Sequence, residues 1–297
     1  MKAVLEWIGK GDQLVTEWRP GEHLRKVSNG NPLPAAALLI LNQPINDIPG
    51  FRRLWEHCEY RICADGGANQ LYELFEAVQD SQDSRIQRDA YLPNEIHGDL
   101  DSLRPEVELY YKDKGVQVTR DPDQYSTDFT KCLKRIRTVM MARGGPQHQQ
   151  QRQGETRNFR ILVFGGLGGR VDQALSTIHH LYVLSKESDG GELTGADKSG
   201  EGKILLYSDE SISFVLPKGR NIIYTPLADG ILEENVGILP IGTPAVITTK
   251  GLEWDVEGWK TEFGDQVSTS NYIRSDIVRV ETSERVLFTV ERSKRLP

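Results

Sequence analysis

The stretch RICADGGANQLYELFEAV, residues 61–78, predicts the fold of the first part of the chain. Its first four residues are typical of a strand, and a glycine-rich turn follows at 65–69. The remainder has the apolar spacing of a helix with one buried face, which we place at 70–78. A strand, a short glycine turn and a helix in this order form the repeating unit of a parallel α/β sheet.

The alternation of strands and helices continues on both sides of this unit. The apolar run at 36–41 is unbroken, which is typical of a strand buried on both faces, as in a parallel sheet. Further strands are predicted at 116–119, 159–164 and 204–207, and further helices at 51–58, 105–114, 127–141 and 171–184. Beyond about residue 210, short β-rich segments recur between turn residues, which indicates an antiparallel sandwich or barrel: 212–216, 222–225, 245–249, 277–281 and 286–290.

The predicted fold class is therefore α/β plus all-β. A Rossmann-like domain with a parallel sheet comes first, and a β-sandwich domain follows it. The expected parts are an N-terminal extension packed loosely on the body at 1–34, the α/β domain at 35–210 with polar insertions near 144–157 and 187–202, and the β-sandwich domain at 211–297.

Composition narrows the functional classes. The formal net charge of −7 argues against broad binding to nucleic acid or to an anionic membrane. The cysteines, Cys58, Cys63 and Cys132, form no CxxC pair, so neither a zinc site nor a disulfide framework is indicated. The first residues do not resemble a signal peptide, and no apolar run approaches the length of a membrane span. We therefore expect a cytoplasmic enzyme.

Acidic residues recur where predicted strands end or helices begin: Asp65, Asp99, Asp101, Asp128 and Asp172. In open parallel sheets, ligands bind outside the carboxyl ends of the strands. If Asp99 and Asp101 lie on an extended strand, their side chains point the same way and can share one cation. Mg²⁺ prefers carboxylate, phosphate and water oxygens. The pattern predicts a magnesium site, and a turn that only caps the next helix is the alternative.

A glycine run at 165–169 follows a predicted strand and opens a helix. Backbone N–H groups and the helix dipole attract phosphate at such a place, and Arg170 can bind phosphate oxygens in a bidentate manner. The run lacks the lysine of a P-loop and the register of the dinucleotide-binding fingerprint, so tight strand-to-helix packing is the alternative. Lys131, one turn after Asp128, is expected either to pair with that aspartate or to contact a phosphate.

Five sequence blocks, in this order, resemble the thiamine pyrophosphokinase family. They are CADGGANQLYEL at 63–74, HGDLDS at 97–102, DPDQYSTDFTKCL at 121–133, GGLGGRVDQ at 165–173, and GLEWDVEG at 251–258 with VSTSN at 267–271. The resemblance spans about residues 36–291. It implies an α/β catalytic domain, a β-sandwich domain that binds thiamine, and a homodimer whose active sites lie between subunits.

The resemblance also implies roles for individual residues. Around Mg²⁺ and the polyphosphate it places Asp65, Asp99, Asp101 and Asp128, of which the last three are the candidate catalytic residues. For the nucleotide it implies contacts from Asp65, Gln124, Arg170, Asp172 and Gln173. For thiamine it implies contacts from Trp254, Ser268, Ser270 and Asn271. An indole suits thiamine because the thiazolium is cationic and Trp offers the best cation–π face, although Trp254 also fits a β-domain core.

The implied reaction joins these residues. The hydroxyl of thiamine attacks the β-phosphorus of ATP in the presence of Mg²⁺, which gives thiamine diphosphate and AMP. Asp101 and Asp128 are both candidates to accept the hydroxyl proton. Two alternatives stay open: another magnesium-dependent nucleotide phosphotransferase or hydrolase, and a thiamine-binding protein without catalysis.

Overall fold

The computed structural model describes residues 15–26, 33–74, 88–143, 159–187 and 203–297. They form two compact units. We call the described residues from 26 to 209 the α/β unit, and those up to 25 together with 210–297 the β unit. The predicted insertion at 144–157 lies outside the described residues, as does the one at 187–202 except for Glu187.

The β unit contributes the first described strand, β1 (Val15–Trp18), and the chain then enters the α/β unit. The parallel sheet of the α/β unit consists of β2 (Ala35–Ile40), β3 (Tyr60–Ala64), β4 (Glu95–Gly98), β5 (Gln117–Arg120), β6 (Phe159–Phe164) and β7 (Lys203–Tyr207). These strands lie in the order β7-β6-β2-β3-β4-β5, and each neighbouring pair is parallel. The order reverses between β2 and β6, and crevices for ligands form at the carboxyl ends of strands beside such a reversal.

The helices of the α/β unit are α1 (Ile48–His57), α2 (Gly67–Glu73), α3 (Pro105–Asp113), α4 (Asp128–Ala142) and α5 (Val171–Glu187). The predicted start signals at α3 and α4 are confirmed. Pro105 occupies the first turn of α3, where its missing N–H costs nothing. The Thr127 hydroxyl caps α4 by accepting a hydrogen bond from Thr130 N–H at 3.3 Å. No helix in the described part of the chain is both long and apolar enough to cross a membrane.

The core of the α/β unit lies on both faces of its sheet. Strand β2 is buried from Ala36 to Ile40, which confirms the prediction made from its unbroken apolar run. The apolar spacing of Val171, Ala174, Leu175, Ile178 and Leu181 predicts one buried face along α5, and the structure differs from that prediction. Val171 is 72% exposed and Leu175 53% exposed, and the buried residues of this helix begin at Thr177.

The β unit contains two sheets. Its remaining strands are β8 (Ser211–Leu216), β9 (Gly219–Tyr224), β10 (Leu232–Leu239), β11 (Ala245–Lys250), β12 (Trp259–Thr261), β13 (Ser268–Tyr272), β14 (Ile277–Thr282) and β15 (Val286–Arg292). One sheet has the order β1-β9-β14-β11-β12, and the other strands lie in the order β13-β10-β15-β8. Apart from β1 with β9, the pairings within this unit are antiparallel. The predicted fold class, α/β followed by a β-sandwich, is confirmed.

Residues 15–25 are not a loosely packed extension. Strand β1 pairs in parallel with β9, and Leu24 in the short 3-10 helix that follows it is fully buried. The Trp18 ring stacks on Phe214 with 4.5 Å between centroids, and its Nε1–H donates to Asn221 Oδ1 at 3.2 Å. The prediction is wrong for this segment because an edge strand of four residues is too short to show a period.

Candidate functional site

Three carboxylates meet at the carboxyl end of the parallel sheet. Asp65 follows β3, Asp99 follows β4, and Asp128 is the first residue of α4. One oxygen from each lies within 4.8 Å of the others. Because β3 and β4 are parallel neighbours, their carboxyl ends lie side by side, and α4 begins close to them. We call Asp65, Asp99 and Asp128 the carboxylate triad.

The backbone around the triad is unusual at three positions. Gly98 has φ +156°, and a Cβ placed there would lie 2.8 Å from Asp128 Oδ1. Asp65 and Leu100 have φ of 41° and 64°, which is the left-handed region. Residues other than glycine cost about 1–3 kcal/mol each in such conformations, which persist where the surrounding structure holds them, often at functional sites.

Lys131 is the only described cation within ion-pair distance of the triad. Its ammonium lies 3.0 Å from Asp128 Oδ1 and 3.7 Å from Asp99 Oδ2, and the residue is 3% exposed. The predicted pairing of Lys131 with Asp128 is confirmed. Burial opposes the charged form of the lysine, but the hydrogen bond and charge of Asp128, helped by Asp99, raise its pKa above the ordinary value.

Backbone N–H groups orient the three carboxylates. Asp65 Oδ2 accepts from Ser102 at 3.0 Å, Asp99 Oδ1 from Asp101 at 3.2 Å, and Asp128 Oδ1 from Asp99 at 3.1 Å. These bonds fix how the side chains face one another, as supporting contacts do in metal sites.

One oxygen of the triad lacks a partner. Asp65 is 4% exposed, and its Oδ1 is buried without a hydrogen-bond donor among the described residues. Burial raises the pKa of this carboxyl, although the hydrogen bonds from Ser102 act in the opposite direction. A buried acceptor without a donor is costly, and a cation at the triad would satisfy it. Carboxylate oxygens are also the ligands that Mg²⁺ prefers, so the residues present fit that ion.

Asp101 has a different environment from the one expected for it. Strand β4 ends at Gly98 and Leu100 is left-handed, so Asp99 and Asp101 do not lie on an extended segment. The prediction that the Asp99 and Asp101 side chains point the same way assumed an extended strand, and that assumption is wrong. Asp101 Oδ1 accepts a hydrogen bond from Ser102 Oγ at 2.9 Å, and Asp101 lies outside the triad. Its role as a metal ligand stays a prediction.

Apart from Asp65 of the triad, the residues predicted to contact the nucleotide lie in two segments of the α/β unit. Gln124 is exposed in the loop before α4, and Gln173 is exposed in the first turn of α5. The exposed Arg170 forms a bidentate pair with Asp172, with Nε–Oδ1 at 3.1 Å and Nη2–Oδ2 at 2.6 Å. This pair raises the pKa of Arg170 and lowers that of Asp172. The Arg170 side chain is thus directed to a carboxylate in this structure.

Sequence reasoning missed Asn42 and Gln43, which follow β2 at the reversal of strand order. A Cβ at Gly169 would lie 2.9 Å from Gln43 Nε2, and one at Gly66 would lie 2.4 Å from Asn42 Nδ2. Both glycine turns therefore make room for these amides. The polar pair directly after the apolar run at 36–41 was the available signal.

In the β unit, Trp254 is 58% exposed, and its ring lies 5.4 Å from that of Tyr272. The buried Asn271 holds the Trp254 backbone: its Oδ1 accepts from Trp254 N–H at 3.1 Å, and its Nδ2 donates to Trp254 O at 3.0 Å. Ser268 is half-buried, and Ser270 is exposed with φ 54°. The structure thus gives Asn271 a positioning contact that the sequence did not predict.

The fold and the site together define a class of protein. It is an α/β protein with a candidate divalent-cation site at the carboxyl ends of a parallel sheet, followed in the chain by a strand-rich unit with an exposed tryptophan. Family models agree with this division. Residues 51–189 match the model described as thiamin pyrophosphokinase, catalytic domain, and 220–287 match the thiamin pyrophosphokinase, vitamin B1 binding domain.

Similar proteins include thiamine pyrophosphokinase 2 of Oryza sativa subsp. japonica, which is 35% identical over 88% of this chain and 87% of its own length. The thiamine pyrophosphokinase of Saccharomyces cerevisiae is 31% identical over 91% of this chain and 89% of its own. The chain belongs to the thiamine pyrophosphokinase family.

Solved structures of thiamin pyrophosphokinases are similar along most of the chain. The yeast crystal structure aligns with a TM-score of 0.77 and 28% identity, covering 96% of this chain and 94% of that one. The Candida albicans enzyme aligns with a TM-score of 0.75 and 28% identity, covering 95% of both chains. The fold predicted from the sequence resemblance therefore agrees with solved members of the family.

Proposed function

We propose that this chain transfers the diphosphate group of ATP to the hydroxyl of thiamine, which gives thiamine diphosphate and AMP. The observation that carries the proposal is the carboxylate triad, in which Asp65 Oδ1 has no hydrogen-bond donor among the described residues, in a chain whose relatives are named thiamine pyrophosphokinase. The triad offers carboxylates that can hold the polyphosphate of ATP through a cation. The choice of thiamine as the acceptor rests on membership of the family.

Asp65, Asp99 and Asp128 would hold Mg²⁺, and Asp101 is a further predicted ligand. When bound there, Mg²⁺ supplies positive charge that offsets the charge on the phosphate oxygens. Asp65 contributes the oxygen that no described residue satisfies. The N–H groups of Ser102 and Asp99 keep the Asp65 and Asp128 side chains turned toward each other, so little reorganisation is needed on binding.

A general base for the thiamine hydroxyl must be able to take a proton. Asp128 Oδ1 already accepts hydrogen bonds from Lys131 and from Asp99 N–H, and a carboxylate that also binds a cation is a weaker base. Asp101 is exposed and outside the triad. Of the two candidates, we therefore favour Asp101 as the base, and in that role it is not a ligand of the cation.

The substrate contacts that the resemblance implies belong to the same proposal. Those for ATP are Asp65, Gln124, Arg170, Asp172 and Gln173, and those for thiamine are Trp254, Ser268, Ser270 and Asn271. For Arg170 to contact phosphate, its pair with Asp172 has to open or be shared with the ligand. The homodimer with active sites between subunits and the cytoplasmic location stay predictions.

The test is incubation of the purified protein with thiamine, ATP and MgCl₂. We expect thiamine diphosphate and AMP to appear in equal amounts, and neither product to form when EDTA is present in excess. ADP release without thiamine diphosphate would instead support another nucleotide phosphotransferase or hydrolase. Calorimetric binding of thiamine without turnover would support a binding protein.

The exposed Trp254 ring gives a prediction for the thiamine contact. Trp254→Ala is expected to raise the KM for thiamine about tenfold, since stacking of a cation on an indole contributes about 1–2 kcal/mol. The KM for ATP should change little. Phe263→Ala is the matched control, because Phe263 is also an exposed aromatic residue of the β unit. Equal thiamine KM values for the two variants would argue against Trp254 as a thiamine contact.

A further inference from the structure

Lys131 is a buried lysine at the carboxylate triad. Lysine is among the residues least often fully buried, and those that are buried are paired. Lys131 is 3% exposed and lies 3.0 Å from Asp128 Oδ1 and 3.7 Å from Asp99 Oδ2. Its place on α4, one turn after Asp128, keeps the ammonium beside the triad.

Negative charge exceeds positive charge at the carboxylate triad. The triad carries a formal charge of −3 when ionised, and the ammonium of Lys131 reduces this to −2. The next cation on the same face of α4, Arg135, is committed to Glu95 through Nε at 2.8 Å. Without Lys131, three neighbouring carboxylates would repel one another in a partly dehydrated site. The lysine therefore lowers the electrostatic cost of folding the triad without a metal ion.

We propose that Lys131 is a built-in counter-ion of the triad, which stabilises the folded chain when no divalent cation is bound and weakens the binding of that cation. The inference rests on the cation site of the proposed function. It assigns Lys131 a positioning role that is separate from contact with a polyphosphate. Since the ammonium and a divalent cation are attracted by the same carboxylates, each one reduces the affinity of the site for the other.

The experiment compares the full chain with Lys131→Met and with Lys134→Met, which removes an exposed lysine from the same helix. Melting temperatures are measured in EDTA and in MgCl₂, and MgCl₂ is titrated calorimetrically into each protein without nucleotide. In EDTA we expect Lys131→Met to melt below both the wild type and Lys134→Met. We also expect it to show the largest rise in melting temperature on adding MgCl₂, and to bind Mg²⁺ about tenfold more tightly than the wild type.

Several outcomes would overturn the proposal. If Lys131→Met and Lys134→Met have the same Kd for Mg²⁺ and show the same rise in melting temperature on adding MgCl₂, Lys131 is not a counter-ion of the triad. A higher KM for ATP with unchanged Mg²⁺ binding and unchanged melting in EDTA would make Lys131 a polyphosphate contact instead. If the wild type itself binds no Mg²⁺, the cation site of the proposed function fails, and the role of Lys131 fails with it.

A second variant covers the case in which Lys131→Met does not fold in EDTA. Lys131→Arg keeps the positive charge, so its Kd for Mg²⁺ should stay within about threefold of the wild type value. The Met variant should then be recovered as folded protein when MgCl₂ is present throughout purification. Failure to recover it at any MgCl₂ concentration would contradict the proposal.

Discussion

Asp128→Asn is expected to lower the rate of ATP-dependent thiamine diphosphate formation about a hundredfold or more, because even residues that only support metal ligands contribute about 10- to 100-fold. The change keeps the shape of the side chain and removes one negative charge from the triad. The Asn Oδ1 can still accept the N–H of Asp99. We therefore expect the substitution to weaken Mg²⁺ binding and to slow catalysis, and to leave folding intact.

Two measurements separate these effects for Asp128→Asn. Calorimetric titration with MgCl₂ should give weaker binding. The melting temperature in EDTA should change little, because the smaller repulsion within the triad is offset by the loss of the charge that pairs with Lys131. Asp113→Asn is the control, since Asp113 is an exposed aspartate at the end of α3. If Asp128→Asn and Asp113→Asn turn over at similar rates, the triad does not hold the catalytic cation.

Gly98→Ala is expected to lower the same rate about a hundredfold, since a displacement of about 1 Å in a catalytic group can have an effect of that size. The new Cβ would lie 2.8 Å from Asp128 Oδ1 and 3.1 Å from Asp65 Cβ, so two members of the triad must move. We expect weaker Mg²⁺ binding together with a lower melting temperature, which distinguishes this variant from Asp128→Asn.

The control for Gly98→Ala is Gly115→Ala. Gly115 also has a positive φ, +79°, but a Cβ there would meet nothing within 4 Å. This variant reports the cost of backbone strain alone, which is about 1 kcal/mol or somewhat more. If both variants lose stability to the same extent and keep full activity, the close approach of Gly98 to the triad has no functional importance.

The features predicted correctly from the sequence are those that neighbouring residues determine. The apolar run of β2 indicates burial on both faces, and the cap Thr127 and the first-turn Pro105 mark helix starts within a residue or two. The pairing of Lys131 with Asp128 follows from helical spacing alone. The fold class also follows, because strand–turn–helix units in series leave few alternatives.

The features that the sequence did not predict depend on distant residues. Strand β1 is recognisable only through its pairing with β9, which lies about two hundred residues further along the chain. The exposure of Val171 on α5 depends on which elements reach that end of the helix. Similarly, Leu100 is left-handed, so Asp99 and Asp101 do not lie on the extended segment that was expected. Nothing in the neighbouring sequence indicates this backbone conformation.

The pairing of β1 with β9 has a consequence for the order in which the protein is made. The α/β unit is inserted, in sequence, between the first strand of the β unit and the rest of that unit. As the chain leaves the ribosome, the α/β unit can assemble once residue 209 has emerged. Residues 15–25 are synthesised before the α/β unit, but their sheet cannot form until β9 and β14 have also been synthesised. Trp18, whose partners are Phe214 and Asn221, is thus synthesised before the α/β unit but can be buried only after that unit has been synthesised.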